Sequence, residues 1–177
     1  MPKPVIFDTG PLTHFARAQW LGTLKAVVGE RRALIPDVVV EELEVGAVRD
    51  SRIQAVLDAE WIEHIELRTA EELQAYAKFE RLLVYRNRNR GEAGALALAE
   101  TMGGNVVVDD GAGRKAAEKN GIEYTPTLRL LCDAIRTGLL TVPLVSALAD
   151  DLIISSYRLP FTGGGFEKWA HENNLIS

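Results

Sequence analysis

Short runs of apolar, mostly β-branched residues alternate along this chain with longer stretches whose apolar side chains recur at helical spacing. Val5-Ile6-Phe7 is the first such run and stops at Asp8. Pro11 then opens a helical pattern to about Val28, with Leu12, Phe15, Leu24 and Val28 in helix-like register. Ala33-Leu34-Ile35, stopped by Pro36, reads as a second strand, and helices follow from Val38 to about Val48 and from Ile53 to Ala59. Trp61 to Leu67 reads as a strand at a sheet edge, because Glu63 and Glu66 interrupt its apolar run. A helix from Glu71 to about Leu83 leads to the polar loop Arg86-Asn87-Arg88-Asn89-Arg90. The helix opened by Gly91 runs to Met102 and ends at Gly103-Gly104. Val106-Val107-Val108 is a strand closed by Asp109-Asp110. Another helix runs to Asn120-Gly121, and Ile122-Glu123-Tyr124 reads as the last strand. Beyond Thr137 the pattern is mainly helical, with a Gly163-Gly164-Gly165 loop before a final amphipathic stretch around Phe166 and Trp169.

Strand and helix alternating in this way predict an α/β fold, a parallel sheet flanked by helices on both faces, with a mainly helical C-terminal tail. The 177 residues fit a single domain, with a core over about 4–140 and an extension over about 141–177. Composition changes this picture little: 47% hydrophobic and 25% charged residues are ordinary for a globular protein. A net charge of -5 argues against coating nucleic acid through bulk charge, while leaving room for a local basic patch. The single cysteine, Cys132, excludes an internal disulfide and reads as a small buried apolar residue. No stretch approaches a membrane span and no leader pattern precedes the first strand, so a cytoplasmic protein without membrane attachment is expected.

The acids carry the chemistry. In open α/β sheets, ligands bind in the crevice beyond the carboxyl ends of the strands. Asp8 directly follows the first strand, and Asp109 and Asp110 directly follow Val108. Glu42 lies early in the helix after the second strand, where helical spacing groups it with Val38, Val39 and Val45. Glu41 falls instead beside Asp37 and Glu44 on a polar face. Glu92 opens its own helix and stacks over Ala95, Leu96 and Ala99. Each acid alone also has a purely structural use, as a cap or a first-turn acid. Jointly they place several carboxylates at one end of the sheet, and a divalent cation relieves their repulsion. Oxygen-only donors suit Mg²⁺ or Mn²⁺.

These segments, in order, resemble the PIN domains. Val5-Ile6-Phe7-Asp8-Thr9-Gly10-Pro11-Leu12 is similar to their opening strand and first acid. Ile35-Pro36-Asp37-Val38-Val39-Val40-Glu41-Glu42-Leu43 is similar to the second acid motif, with Glu42 in the acid position. Gly91-Glu92-Ala93-Gly94-Ala95-Leu96 resembles the third, and Val108-Asp109-Asp110-Gly111-Ala112-Gly113-Arg114 the fourth. Asp109-Asp110 with Arg114, and Tyr157-Arg158-Leu159 in the tail, look closest to a prokaryotic PIN-like branch.

The resemblance implies a Mg²⁺- or Mn²⁺-dependent endoribonuclease, often the toxin of a toxin–antitoxin pair, with RNA as substrate, an antitoxin protein as partner and a homodimer as assembly. Asp8, Glu92 and one of Asp109 or Asp110 would ligate metal directly, and Glu42 would ligate metal or orient a metal-bound water. Thr9, beside Asp8, is a candidate for hydrogen bonding to water or phosphate. Arg114 and the loop arginines Arg86, Arg88 and Arg90 are candidates for the RNA backbone, without base stacking in that loop because it lacks aromatics.

Two competing readings come from other classes. Gly111-Ala112-Gly113-Arg114-Lys115-Ala116 follows a strand and opens a helix, as in a dinucleotide fingerprint, although Asp109 and Asp110 would repel a pyrophosphate. A PIN-like fold can also serve as a non-catalytic interaction module. His14, His64 and His171 show no metal-ligand spacing and read as solvated or packing residues.

Overall fold

The computed structural model describes residues 1–86 and 88–177; Asn87, within the polar loop, lies outside the described residues. Five strands form one all-parallel sheet: β1 (Val5–Phe7), β2 (Ala33–Pro36), β3 (Ile62–Ile65), β4 (Asn105–Val107) and β5 (Glu123–Thr125). Their spatial order is β3-β2-β1-β4-β5, so strand order reverses between β1 and β4. The register there pairs Val5 with Asn105 and Phe7 with Val107. Asp8 and the Asp109-Asp110 pair therefore leave the sheet at the same end, at the switch point where a crevice opens.

Side-chain alternation in the strands builds two cores. Val5, Phe7, Ala33, Ile35 and Val107 face one layer; Ile6, Leu34, Val106 and Val108 face the other. The first layer comprises α1 (Thr9–Arg17), α2 (Leu21–Val28), α3 (Asp37–Arg49), α8 (Thr127–Arg136), α9 (Val142–Ile154) and α10 (Phe166–Glu172). The second comprises α5 (Ala70–Leu83), α6 (Arg90–Met102) and α7 (Gly111–Lys119). The C-terminal extension thus completes the first core, with Val145, Leu148, Leu152 and Phe166 fully buried. Cys132 is buried there as well.

Three local expectations are corrected. The single helix expected from Pro11 to Val28 is two, α1 and α2, separated by a turn in which Gln19 adopts a left-handed φ of 61°. The Trp20 indole N–H donates to Asp151 at 2.7 Å, so α9 holds the break in place. The helix expected over Ile53–Ala59 is a 3-10 turn (Ser51–Ile53) followed by one short helical turn, α4 (Gln54–Leu57). Val45 does not share the inward face of Val38 and Val39, because it is 57% exposed while they are buried. α8 is not among the expected elements at all, and the other expected elements match within a residue or two at most boundaries; β3 is shorter than the run from Trp61 to Leu67, and is indeed a sheet edge. Among the described residues no helix is long and apolar enough to cross a membrane.

Candidate metal centre

Asp8 occupies the extended position between β1 and α1, where its carboxylate accepts the Thr9 amide at 2.7 Å. Its pKa rises from 3.8 to about 7, chiefly because burial penalises the charge, with the carboxylates of Glu42, Asp109 and Asp110 adding repulsion. Glu42 projects from the second turn of α3 and is held at both oxygens. The Thr9 hydroxyl donates to Oε2, and the Gly91 amide at the start of α6 donates to Oε1 at 3.0 Å. The hydroxyl of Thr9 is therefore directed to Glu42.

Glu92 is the most enclosed acid. It is 2% exposed, and its Oε1 is buried with no hydrogen-bond partner among the described residues. Burial lifts its pKa from 4.5 to about 8, with Asp8, Asp110 and Glu42 repelling the charge and the Gly113 backbone partly relieving it. Small residues make this placement possible. A Cβ on Gly91 would lie 2.5 Å from both Glu42 Oε2 and Thr9 Oγ1, and one on Gly94 would collide with Val38. A Cβ on Gly113 would overlap the Glu92 carboxylate itself. The space that the dinucleotide reading would give to a phosphate above Gly113 is thus occupied by a carboxylate.

The adjacent aspartates have different surroundings. Asp109 accepts both the amide and the hydroxyl of Thr127, each at 2.7 Å, at the start of α8. Its pKa is raised by burial, against the opposing pull of Thr127 and of Arg114. Asp110 is exposed and caps α7, accepting the Ala112 amide at 2.8 Å. Asp110 is among the charges acting on Glu92, and both aspartates act on Asp8. Thr127 was not singled out in the sequence; its nearest signal is the Pro126-Thr127 pair opening a helix.

The candidate substrate-side cations divide likewise. Arg90 lies 3.5 Å from Glu41 and also acts on Tyr76. Arg86 lies over the Tyr85 ring, 5.2 Å from its centroid, and Arg88 is exposed. Arg114 pairs with no acid among the described residues and lines a cavity with Asp109. His14 packs on Tyr157 and meets Ser155 at 3.1 Å, while His64 and His171 are exposed.

Among the described residues, no three acidic, histidine or cysteine side chains already form a closed ligand set around one point. The donor chemistry nevertheless fits a hard divalent cation. Asp8, Glu42, Glu92 and Asp110 are mutually repelling oxygen donors, and one of their oxygens is buried and unpartnered.

The comparisons with known proteins agree with this architecture. The family model described as PIN domain matches residues 4–162. The chain belongs to the PIN-domain family. Its resemblance to solved structures includes a chain of the crystal structure of VapBC2 from Rickettsia felis bound to a DNA fragment from their promoter. That match has a TM-score of 0.50 and 14% identity, and covers 69% of this PIN domain protein and 97% of the other chain. At that identity it shows the fold alone. No curated protein matches the sequence.

Proposed function

We propose that this PIN-domain chain is a divalent-metal-dependent endoribonuclease that hydrolyses RNA phosphodiester bonds. The observation that carries the reading is Glu92: a buried carboxylate with an oxygen unpartnered among the described residues, under the charges of Asp8 and Asp110 at the β1/β4 switch point. A buried acid without a compensating partner is costly unless it neutralises or meets a cation.

Asp8, Glu92 and Asp110 would hold Mg²⁺ or Mn²⁺, with Asp109 kept for positioning because Thr127 engages both of its oxygens. The bound ion would supply charge neutralisation and polarisation of the phosphoryl group. Glu42, fixed by Thr9 and Gly91, stands ready to orient a water at the rim of the crevice. Arg114, free of acid partners among the described residues, offers a cation to the phosphate. A narrower reading, a toxin paired with an antitoxin and assembling as a homodimer in the cytoplasm, is in keeping with membership of the PIN-domain family.

The deciding measurement is Mn²⁺ binding by calorimetry alongside RNA cleavage, for wild type and for Asp8→Asn, Asp109→Asn and Asp110→Asn. Asp8→Asn and Asp110→Asn are expected to lose binding and cleavage together, and Asp109→Asn to retain measurable binding. A folded wild-type protein that binds no metal would sink the nuclease reading in favour of an interaction module.

A further inference from the structure

A cavity of about 850 Å³ adjoins the acids and reaches them at Asp109. It runs between the end of β5, the first turns of α8 and the C-terminal segment that links α9 to α10. Three arginines line it: Arg114 from α7, Arg129 from α8 and Arg158 from the linking segment. Arg129 is paired with Asp133 at 3.1 Å; Arg114 and Arg158 pair with no acid among the described residues. Tyr124, Tyr157 and Trp169 contribute ring surface.

Tyr157 joins this groove to the acid crevice. Its ring is held by stacking on His14, with centroids 4.4 Å apart. Its hydroxyl lies 3.5 Å from Thr127 Oγ1, which donates in turn to Asp109. Trp169 is braced by Phe161 at 5.4 Å, between centroids, and by Phe166 at 6.5 Å, and remains partly open to solvent. Rigid aromatic surface interleaved with unpaired arginines is the chemistry of single-stranded nucleic-acid grooves, where rings stack bases and guanidinium groups follow phosphates.

The geometry points to a subsite for the nucleotides flanking the scissile phosphate of a single-stranded RNA, built by the C-terminal extension with Arg158 and Arg114 on the backbone and Tyr157 and Trp169 beside the bases. This assignment rests on the nuclease reading and gives the extension a role in substrate selection. Paired RNA would be disfavoured, because its bases are not free to enter a groove of stacked rings.

The test is fluorescence anisotropy with a short fluorescein-labelled oligouridylate, in an Asp8→Asn background so that the probe stays intact. Arg158→Ala is the informative variant, since Arg158 is exposed and makes no side-chain bond among the described residues. It is expected to weaken binding about tenfold and to flatten the salt dependence by about one phosphate contact. Arg49→Ala, the same charge change at the far end of α3, is the control and stays close to the parent. Parent binding that Arg158→Ala leaves unchanged overturns the subsite and leaves the nuclease reading standing. A parent protein that binds no RNA overturns the subsite, while the nuclease reading stands or falls on Mn²⁺ binding and cleavage by the wild type. A labelled oligoglutamate peptide that loses affinity in Arg158→Ala while RNA does not would assign the groove to a protein tail, and overturn the proposal.

Discussion

Glu42 and Glu92 each stand in the first turns of a helix beyond the sheet, yet they are built in opposite ways. Glu42 sits on α3, an amphipathic helix with exposed Val45 and Val48, and its carboxylate is satisfied by a hydroxyl and an amide. Glu92 sits on α6, buried from Gly91 to Ala99, and one of its oxygens has no partner among the described residues. The first acid is positioned by the protein alone; the second is left as an electrostatic deficit. Groups of the first kind orient, whereas groups of the second kind call for a cation. The position of a carboxylate in its helix therefore says less about its role than what the rest of the chain provides for its oxygens.

The sharpest break of this comparison is Glu92→Gln against Glu42→Gln. Glu92→Gln is expected to reduce cleavage by about a thousandfold, equivalent to about 4 kcal/mol of transition-state stabilisation. Glu42→Gln should cost about tenfold to a hundredfold, because an amide can still accept the Thr9 hydroxyl bond. Equal losses from the two variants would erase the distinction. Both should be read with melting curves in chelator, where Glu92→Gln is expected to be the more stable protein above pH 8 because it removes a buried charge.

Next in size is Gly113→Ala, whose new methyl would occupy the place of the Glu92 carboxylate. Displacing that group should weaken metal binding by about tenfold or more, at a stability cost of about 1–3 kcal/mol from overpacking. Calorimetry and thermal melting read the two effects separately. Full retention of metal binding would show that Glu92 does not need its observed position.

The pH dependence follows from the sign of the shifts. Asp8 at about 7 and Glu92 at about 8 lie above their ordinary values of 3.8 and 4.5. Their relative contribution to the metal-free fold is full below about pH 4 and is lost as pH rises through 7 and 8. Metal-free protein should therefore melt lower at pH 8.5 than at pH 6 on account of this pair, and about 10 mM Mg²⁺ should restore more stability at the higher pH. The smallest effect expected is that of Thr9→Val, which removes one of the two bonds to Glu42 and should slow cleavage by only about tenfold or less while metal affinity holds. A loss as large as that of Glu92→Gln would place Thr9 on the substrate instead.

Much of this site was legible because its determinants are local. Asp8 adjoins its strand, and Glu92 opens a helix whose glycine and alanine spacing announces close packing. The sheet followed from runs too short and too apolar for anything but a covered parallel layer. What escaped was set by distant residues. The break at Gln19 carries no glycine or proline, and is held by a Trp20–Asp151 bond across the domain. Val45 satisfies the helical count for an inward face, but no neighbouring element covers it. The different surroundings of Asp109 and Asp110 come from Thr127, eighteen residues beyond Asp109, so the adjacent acids are alike in sequence and different only in the fold. The groove of Arg158 and Trp169 was invisible for the same reason: its walls come from α7, α8 and the tail.

The pairing of Val5 with Asn105 carries a consequence for synthesis. The central strand β1 leaves the ribosome first, yet one of its two neighbours arrives a hundred positions later. Closing so long a loop is slow, and it cannot begin until β4 has emerged. Asp8 therefore waits beside an open sheet edge while most of the chain is translated, and Thr127 must follow before Asp109 is clamped. A nascent or prematurely terminated chain ending before about residue 110 carries no assembled crevice. The order of the strands thus delays assembly of the crevice until well past the middle of the chain.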